Sequence, residues 1–203
     1  MRTLLVLPLL VLAACAPDPD APEADDPEAV TPPPSRPEGA IAQVSEVDGS
    51  GVSGVVRFTA LDDAVEVRYD LSGLSDGPHG FHVHQTGDCS ADSTGTPAGA
   101  AGGHFNPLAS PHGAPSNAPA RRHAGDLGNI DAEGGRAVGV VVDSVLAFSG
   151  PTSVLGKAIL VHGGEDDLES QPAGDAGARV GCGVIEAAGD AADPVDPDAS
   201  VVS

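Results

Sequence analysis

The 203-residue chain predicts an all-β fold, a Greek-key antiparallel β-barrel or sandwich of about eight strands broken by long loops. Short β-branched and apolar runs recur along it, clusters of Gly and Asp separate them, and no convincing helical period lies between. With Phe 4, Tyr 1 and Trp 0, the interior has to be filled by Val, Ile, Leu and Ala.

Four runs come first, at 40–47, 52–61, 64–74 and 81–84. Asp48-Gly49-Ser50-Gly51 supplies the reversal between the first two, because Gly and Asp accept the backbone conformations that a tight turn demands. A stretch rich in Gly, Pro, Ala and Ser then extends from about 86 to 128, too loose in composition to hold a fixed shape alone. Runs at 137–142, 158–162 and 180–185 follow, the first of them after the turn Asp131-Ala132-Glu133-Gly134-Gly135. At the ends, 15–38 is built from Pro, Asp, Glu and Ala, and 188–203 carries Asp-Pro pairs. Neither has the apolar content to bury a core, so both read as disordered acidic segments, a tether and a tail. One domain over 39–187 remains, long enough for a substantial core.

Chemistry concentrates in the histidines. His82 and His84 are spaced i and i+2 on an expected strand, so both imidazoles leave one face while Phe81 and Val83 point to the other. Downstream come His104, His112 and His123-x-x-Asp126, three imidazoles and a carboxylate, a donor set that suits a closed tetrahedral zinc site. Zinc there would order the loose 86–128 stretch. His162 ends the apolar run 158–161. Taken singly, these pieces also read as a solvated strand face, a turn cap and a strand-end histidine. Together, in a chain with His 7, they point to copper and zinc sharing one ligand.

From about Ala40 to Ala187 the chain resembles the copper/zinc superoxide dismutase family. The resemblance rests on Gly80-Phe81-His82-Val83-His84, Gly103-His104-Phe105-Asn106-Pro107, His123-Ala124-Gly125-Asp126-Leu127-Gly128-Asn129, Leu160-Val161-His162 and Gly181-Cys182-Gly183-Val184-Ile185. It implies copper ligands His82, His84, His104 and His162, and zinc ligands His104, His112, His123 and Asp126, with His104 bridging. It further implies that Asp166 links a copper-ligand histidine to a zinc-ligand histidine, and that Arg179 attracts and orients an anion beside copper. His79 is left with a structural hydrogen-bonding role. The implied reaction converts superoxide to oxygen and hydrogen peroxide by Cu(II)/Cu(I) cycling, with His104 carrying a proton. A non-catalytic copper/zinc-binding module of the same fold is the alternative.

Arg2 followed by the apolar run 4–12, too short to span a bilayer, reads as a signal peptide over 1–14. Leu12-Ala13-Ala14-Cys15 resembles a bacterial lipoprotein box, which implies that Cys15 becomes a lipidated N-terminus attached to the envelope; an ordinary signal peptide cut elsewhere is the alternative. Ala16 rather than Asp after the cysteine favours, by the usual bacterial sorting pattern, an outer membrane over retention at the inner one, so the expected place is the periplasm or outer membrane, with the cell surface as the alternative. With Cys15 lipidated, Cys89 and Cys182 remain, an even count that predicts a disulfide in an oxidising compartment.

The net charge of −21 and the absence of a basic patch exclude nucleic acid as a partner. Such a surface repels superoxide at long range, so a local positive focus at copper and Arg179 has to win inside the channel. The loop 168–179 is short and lacks the acidic pair and lysine that steer superoxide in eukaryotic members of the family, which leaves Lys157, Arg121 and Arg122 as substitutes by sign. No apolar stripe on the first or last strand chooses between monomer and homodimer.

Overall fold

The computed structural model describes residues 39–188; the signal segment, Cys15, the tether and the tail from 189 onward lie outside the described residues. Eight strands form the body: β1 (Gly39–Glu46), β2 (Ser53–Ala60), β3 (Val65–Ser72), β4 (Gly77–His84), β5 (Asp126–Ala132), β6 (Arg136–Asp143), β7 (Ala158–His162) and β8 (Arg179–Val184). A two-residue β9 (Glu186–Ala187) adds to β1. Among the described residues the helical pieces are 3-10 turns at Gly99–Ala101 and Pro119–Arg121.

Every pairing between these strands is antiparallel, and the order β5-β4-β7-β8-β1-β2-β3-β6 carries the Greek-key crossovers. β5 and β6, at the two ends of that order, lie against one another and nearly close the barrel. Alternation in each strand decides what is inside: Ala40, Ala42 and Val44 of β1, Val56 and Phe58 of β2, and Val65, Val67 and Leu71 of β3 are buried in one core with Phe81 and Val83 of β4. A smaller cluster of Val47, Ala98, Ala101, Ala158, Leu160 and Cys182 packs beneath the long loop.

Two differences from the sequence expectation share a cause. β4 starts at Gly77, four residues earlier than expected, and β5 was not expected at all; the two pair with each other, Gly77 with Ala132 and His79 with Ile130. Gly, Pro, Asp and Asn dominate both segments, so propensity speaks against strands there. The ladder between them and the burial of Ile130 and Leu127 override it.

β4 is the frame of the site. On one edge it pairs with β7, Val83 opposite Ile159. The other edge is given up by β5 after His82 and is taken over by two pieces of the long loop. Val83 N–H donates to Gly125 C=O at 3.0 Å, Phe105 N–H donates to Val83 C=O at 2.8 Å, and Gly125 N–H donates to Phe105 C=O at 2.9 Å. A Cβ on Gly125 would lie 2.2 Å from the Val83 oxygen, so only glycine permits this approach. These three bonds bring His104 and the His123–Asp126 segment to the strand that carries His82 and His84.

Candidate metal centre

All seven residues predicted as ligands are buried and converge. One group is His82, His84, His104 and His162 and the other His104, His112, His123 and Asp126; within each, one donor atom per residue lies within 4.8 Å of the rest. His104 belongs to both. Its ring centroid is 4.0 Å from that of His82 on one side and 5.3 Å from that of His112 on the other.

Hydrogen bonds fix which nitrogen each ring presents. His84 Nδ1 donates to Gly102 C=O at 2.9 Å and His162 Nδ1 to Gly177 C=O at 3.2 Å, which leaves both Nε2 atoms as lone pairs. His82 is turned the other way, with Nε2 donating to Asp166 Oδ2 at 2.7 Å and Nδ1 free. His104 Nδ1 is 2.8 Å from Asp126 Oδ1, so its Nε2 faces the copper group. Asp126 Oδ1 is also 3.0 Å from His112 Nδ1 and 3.1 Å from His123 Nδ1. Its Oδ2 accepts the Gly113 and His123 amides and so holds the carboxylate still.

The donor atoms meet a direct test for a metal. His82 Nδ1, His84 Nε2, His104 Nε2, His112 Nδ1 and His162 Nε2 are buried without a hydrogen-bond partner; His112 Nδ1 is near Asp126 but out of line for a bond. Each such orphan costs about 1–3 kcal/mol. Copper in the all-imidazole group and zinc in the group with the carboxylate would satisfy all five, and the donor types match both ions.

Asp166 lies between the two groups. Its Oδ2 accepts from His82 Nε2 and its Oδ1 from His112 Nε2 at 3.0 Å, so one carboxylate joins a ring of each group. Arg179, half-buried at the start of β8, pairs in register with His162. Its two terminal nitrogens donate to Ala98 C=O and, at 2.6 Å, to Gly102 C=O. Cys89 and Cys182 form a disulfide that ties the same loop to β8. His79 donates from Nδ1 to His162 C=O at 2.7 Å, the structural role expected of it.

Burial, the largest cause, drives His104 down to about 4 and His162 to about 3, and sends His84 well below its ordinary value. Neighbouring imidazoles add to the depression. These rings are therefore neutral, ready ligands at neutral pH. His112 goes the other way. Burial lowers it, but hydrogen bonds to Asp126 and Asp166 outweigh burial and raise it to about 9. Burial likewise raises both carboxylates, and the histidine hydrogen bonds more than reverse this, so Asp126 and Asp166 end below the usual carboxylate range.

One expected substitute for the missing steering charges fails. Arg122 is buried; it donates to Asp143 Oδ2 at 2.5 Å and to the carbonyls of His123 and Asp126 at 3.2 and 3.3 Å, so its charge is consumed in bracing the zinc-ligand segment. Lys157 Nζ donates to Gln85 C=O at 2.9 Å and lies 4.8 Å from the centre of the Phe105 ring, beside the residues that follow His84 and His104. The sequence reading missed the carbonyls of Ala98, Gly102 and Gly177, because a main-chain acceptor leaves no trace in residue type. It also missed the side-chain amides of Asn129 and Gln171, described below.

A nearly closed antiparallel barrel with four imidazoles at one position and three imidazoles plus a carboxylate at the next, sharing a ring, defines a two-metal copper and zinc protein. The copper/zinc superoxide dismutase family model matches residues 52–185. Superoxide dismutase [Cu-Zn] A of Xenopus laevis is 44% identical over 153 residues, covering 71% of this chain and 97% of that protein. Superoxide dismutase [Cu-Zn] 5 of Dictyostelium discoideum is 37% identical over 154 residues, with the same coverage of 71% and 97%. A solved structure described as the crystal structure analysis of the clock protein EA4 superposes with a TM-score of 0.66 at 36% identity, covering 76% of this chain and 97% of that one. The chain belongs to the copper/zinc superoxide dismutase family, and both of its metal sites are intact.

Proposed function

We propose that this superoxide dismutase works outside the cytoplasm, attached to the envelope through lipidated Cys15, with Arg179 as the anion-orienting residue and His104 as the proton carrier. The observation that carries the chemistry is the pair of donor groups meeting at one ring, His104, whose Nδ1 and Nε2 face opposite groups.

When bound, copper supplies a one-electron couple and zinc a redox-silent charge. The chain's own residues do the rest. The guanidinium of Arg179, fixed by two carbonyls, offers permanent positive charge and remaining N–H donors to an incoming anion. His104 holds a proton at Nε2 and hands it to the reduced substrate, while Asp126 keeps the ring oriented through Nδ1. Asp166 fixes the tautomers of His82 and His112 together, so the two sites stay in register.

For the location, the supports are the short apolar leader, Cys15 at the end of the lipoprotein-like box, and a disulfide that suits an oxidising compartment. The tether then spaces the domain from the lipid. Expression of the full chain in a bacterium, followed by mass measurement of the mature N-terminus, tests it. A diacylated or triacylated Cys15 in the membrane fraction is expected, abolished by Cys15→Ser; an unmodified N-terminus elsewhere would contradict the anchor.

A further inference from the structure

The loop 168–179 lacks the acidic pair and lysine named above but reaches across to a zinc ligand. His112 lies in an irregular segment with no strand to hold its main chain. Its partner is the side chain of Gln171. Oε1 of Gln171 accepts from His112 N–H at 2.8 Å, and Nε2 of Gln171 donates to His112 C=O at 2.9 Å. The same Nε2 donates to Glu169 C=O at 3.0 Å, which anchors the amide on its own loop.

His112 is thereby gripped twice by one short stretch, at the ring by Asp166 and at the main chain by Gln171. The other end of that link has a matching brace: Asn129 Nδ2 donates to Asp166 C=O and Asn129 Oδ1 accepts from Asp166 N–H, both at 2.8 Å. The turn after Gln171 has to be tight. Gly174 N–H donates to Ser170 C=O at 2.7 Å, and at φ +70° a Cβ on Gly174 would lie 1.8 Å from Asp166 Oδ1 and 2.7 Å from His112 Nε2. Any side chain there would occupy the space of the Asp166–His112 bond.

We propose that Gln171 is a positioning residue for zinc, setting the main chain of His112 so that its ring meets the other zinc ligands, with the turn at Gly174 fixing the reach. This rests on the assignment of His112 to zinc.

The test is zinc release from the full-length copper- and zinc-loaded protein to a colour-forming chelator, comparing wild type with Gln171→Leu and Gln171→Glu, with copper retention followed in parallel. Removing partners of this kind changes metal affinity about 10- to 100-fold, so Gln171→Leu is expected to release zinc at least about tenfold faster. Gln171→Glu, which keeps an acceptor for His112 N–H but loses the donor, falls between. Copper retention stays unchanged. Release in both variants within about twofold of wild type would overturn the role. If Gln171→Leu does not fold, hydrogen exchange in the loaded wild type decides: a His112 amide slowed well below the free-peptide rate supports the bond to Gln171, and exchange at the free rate overturns it. A wild-type protein that takes up no zinc would instead overturn the metal assignment.

Discussion

Arg179 and His84 share one acceptor: the Gly102 carbonyl receives His84 Nδ1–H at 2.9 Å and an Arg179 terminal N–H at 2.6 Å. The orientation of a copper ligand and that of the guanidinium proposed to orient the anion are set by the same oxygen. Lys cannot reproduce this, because its ammonium lacks the planar fork that reaches Ala98 and Gly102 together. Arg179→Lys should therefore lower the dismutation rate about tenfold or more, the worth of one or two charge-assisted hydrogen bonds. Metal content and the copper visible spectrum should change little. Steady-state rates alongside metal analysis check this.

Asp143 answers Arg122 inside the protein, and Arg122 in turn holds the carbonyls of two zinc ligands. Asp143→Ala leaves that guanidinium buried and uncompensated, which should destabilise the metal-free domain by about 3–5 kcal/mol. Denaturant unfolding measures it. The double change Arg122→Leu with Asp143→Leu should recover much of the loss.

The metal-free protein should lose stability on acidification. Folded His84, His104 and His162 have depressed values, so the stability they contribute is present above about 6.5 and is lost as pH falls toward about 4 and about 3. Asp126 and Asp166 are also depressed; their contribution is present above the ordinary carboxylate value of 3.8 and is lost as pH falls through their lower folded values. His112 is raised, so its contribution is complete below 6.5 and is lost as pH rises through about 9. Thermal midpoints of the metal-free form across pH 3 to 10 should peak near about 6.5.

The disulfide closes a loop with a sequence separation of 93 and holds the segment whose carbonyls orient Arg179. Replacing Cys89 by Ser should cost about 4–5 kcal/mol in the chain-entropy model. Activity should fall by more than copper content does, because the segment carrying the Ala98 and Gly102 carbonyls loses its covalent tie to β8 and holds Arg179 less firmly. Calorimetry and rate measurements on the same samples separate the two effects.

The ligands were legible because histidine is rare in this chain and falls at telling spacings: His82 and His84 on alternating positions of a strand, and His123 three residues before Asp126. Most strands were legible from runs such as Val65-Glu66-Val67, whose alternation carries over directly into burial. β5 was hidden because Asp126 and Asn129 serve the site and the ladder at once, and residues chosen for a site weaken the local strand signal. Arg122 looked like a free cation because charge in a sequence says nothing of burial. Gln171 was invisible for a related reason: a side chain that replaces a missing strand partner has value only once the fold has brought His112 beside it.

The central claim is that two donor groups sharing His104 make a dismutase. The direct test is the superoxide dismutation rate of the mature chain loaded with one copper and one zinc, set beside His104→Ala carrying whatever metal it retains. The account predicts a wild-type rate per copper far above that of unbound copper under physiological chelation, with His104→Ala losing both the rate and the binding of each metal. A fully loaded wild-type protein no faster than the copper it carries would contradict the account and leave a module that holds copper and zinc without turning over superoxide.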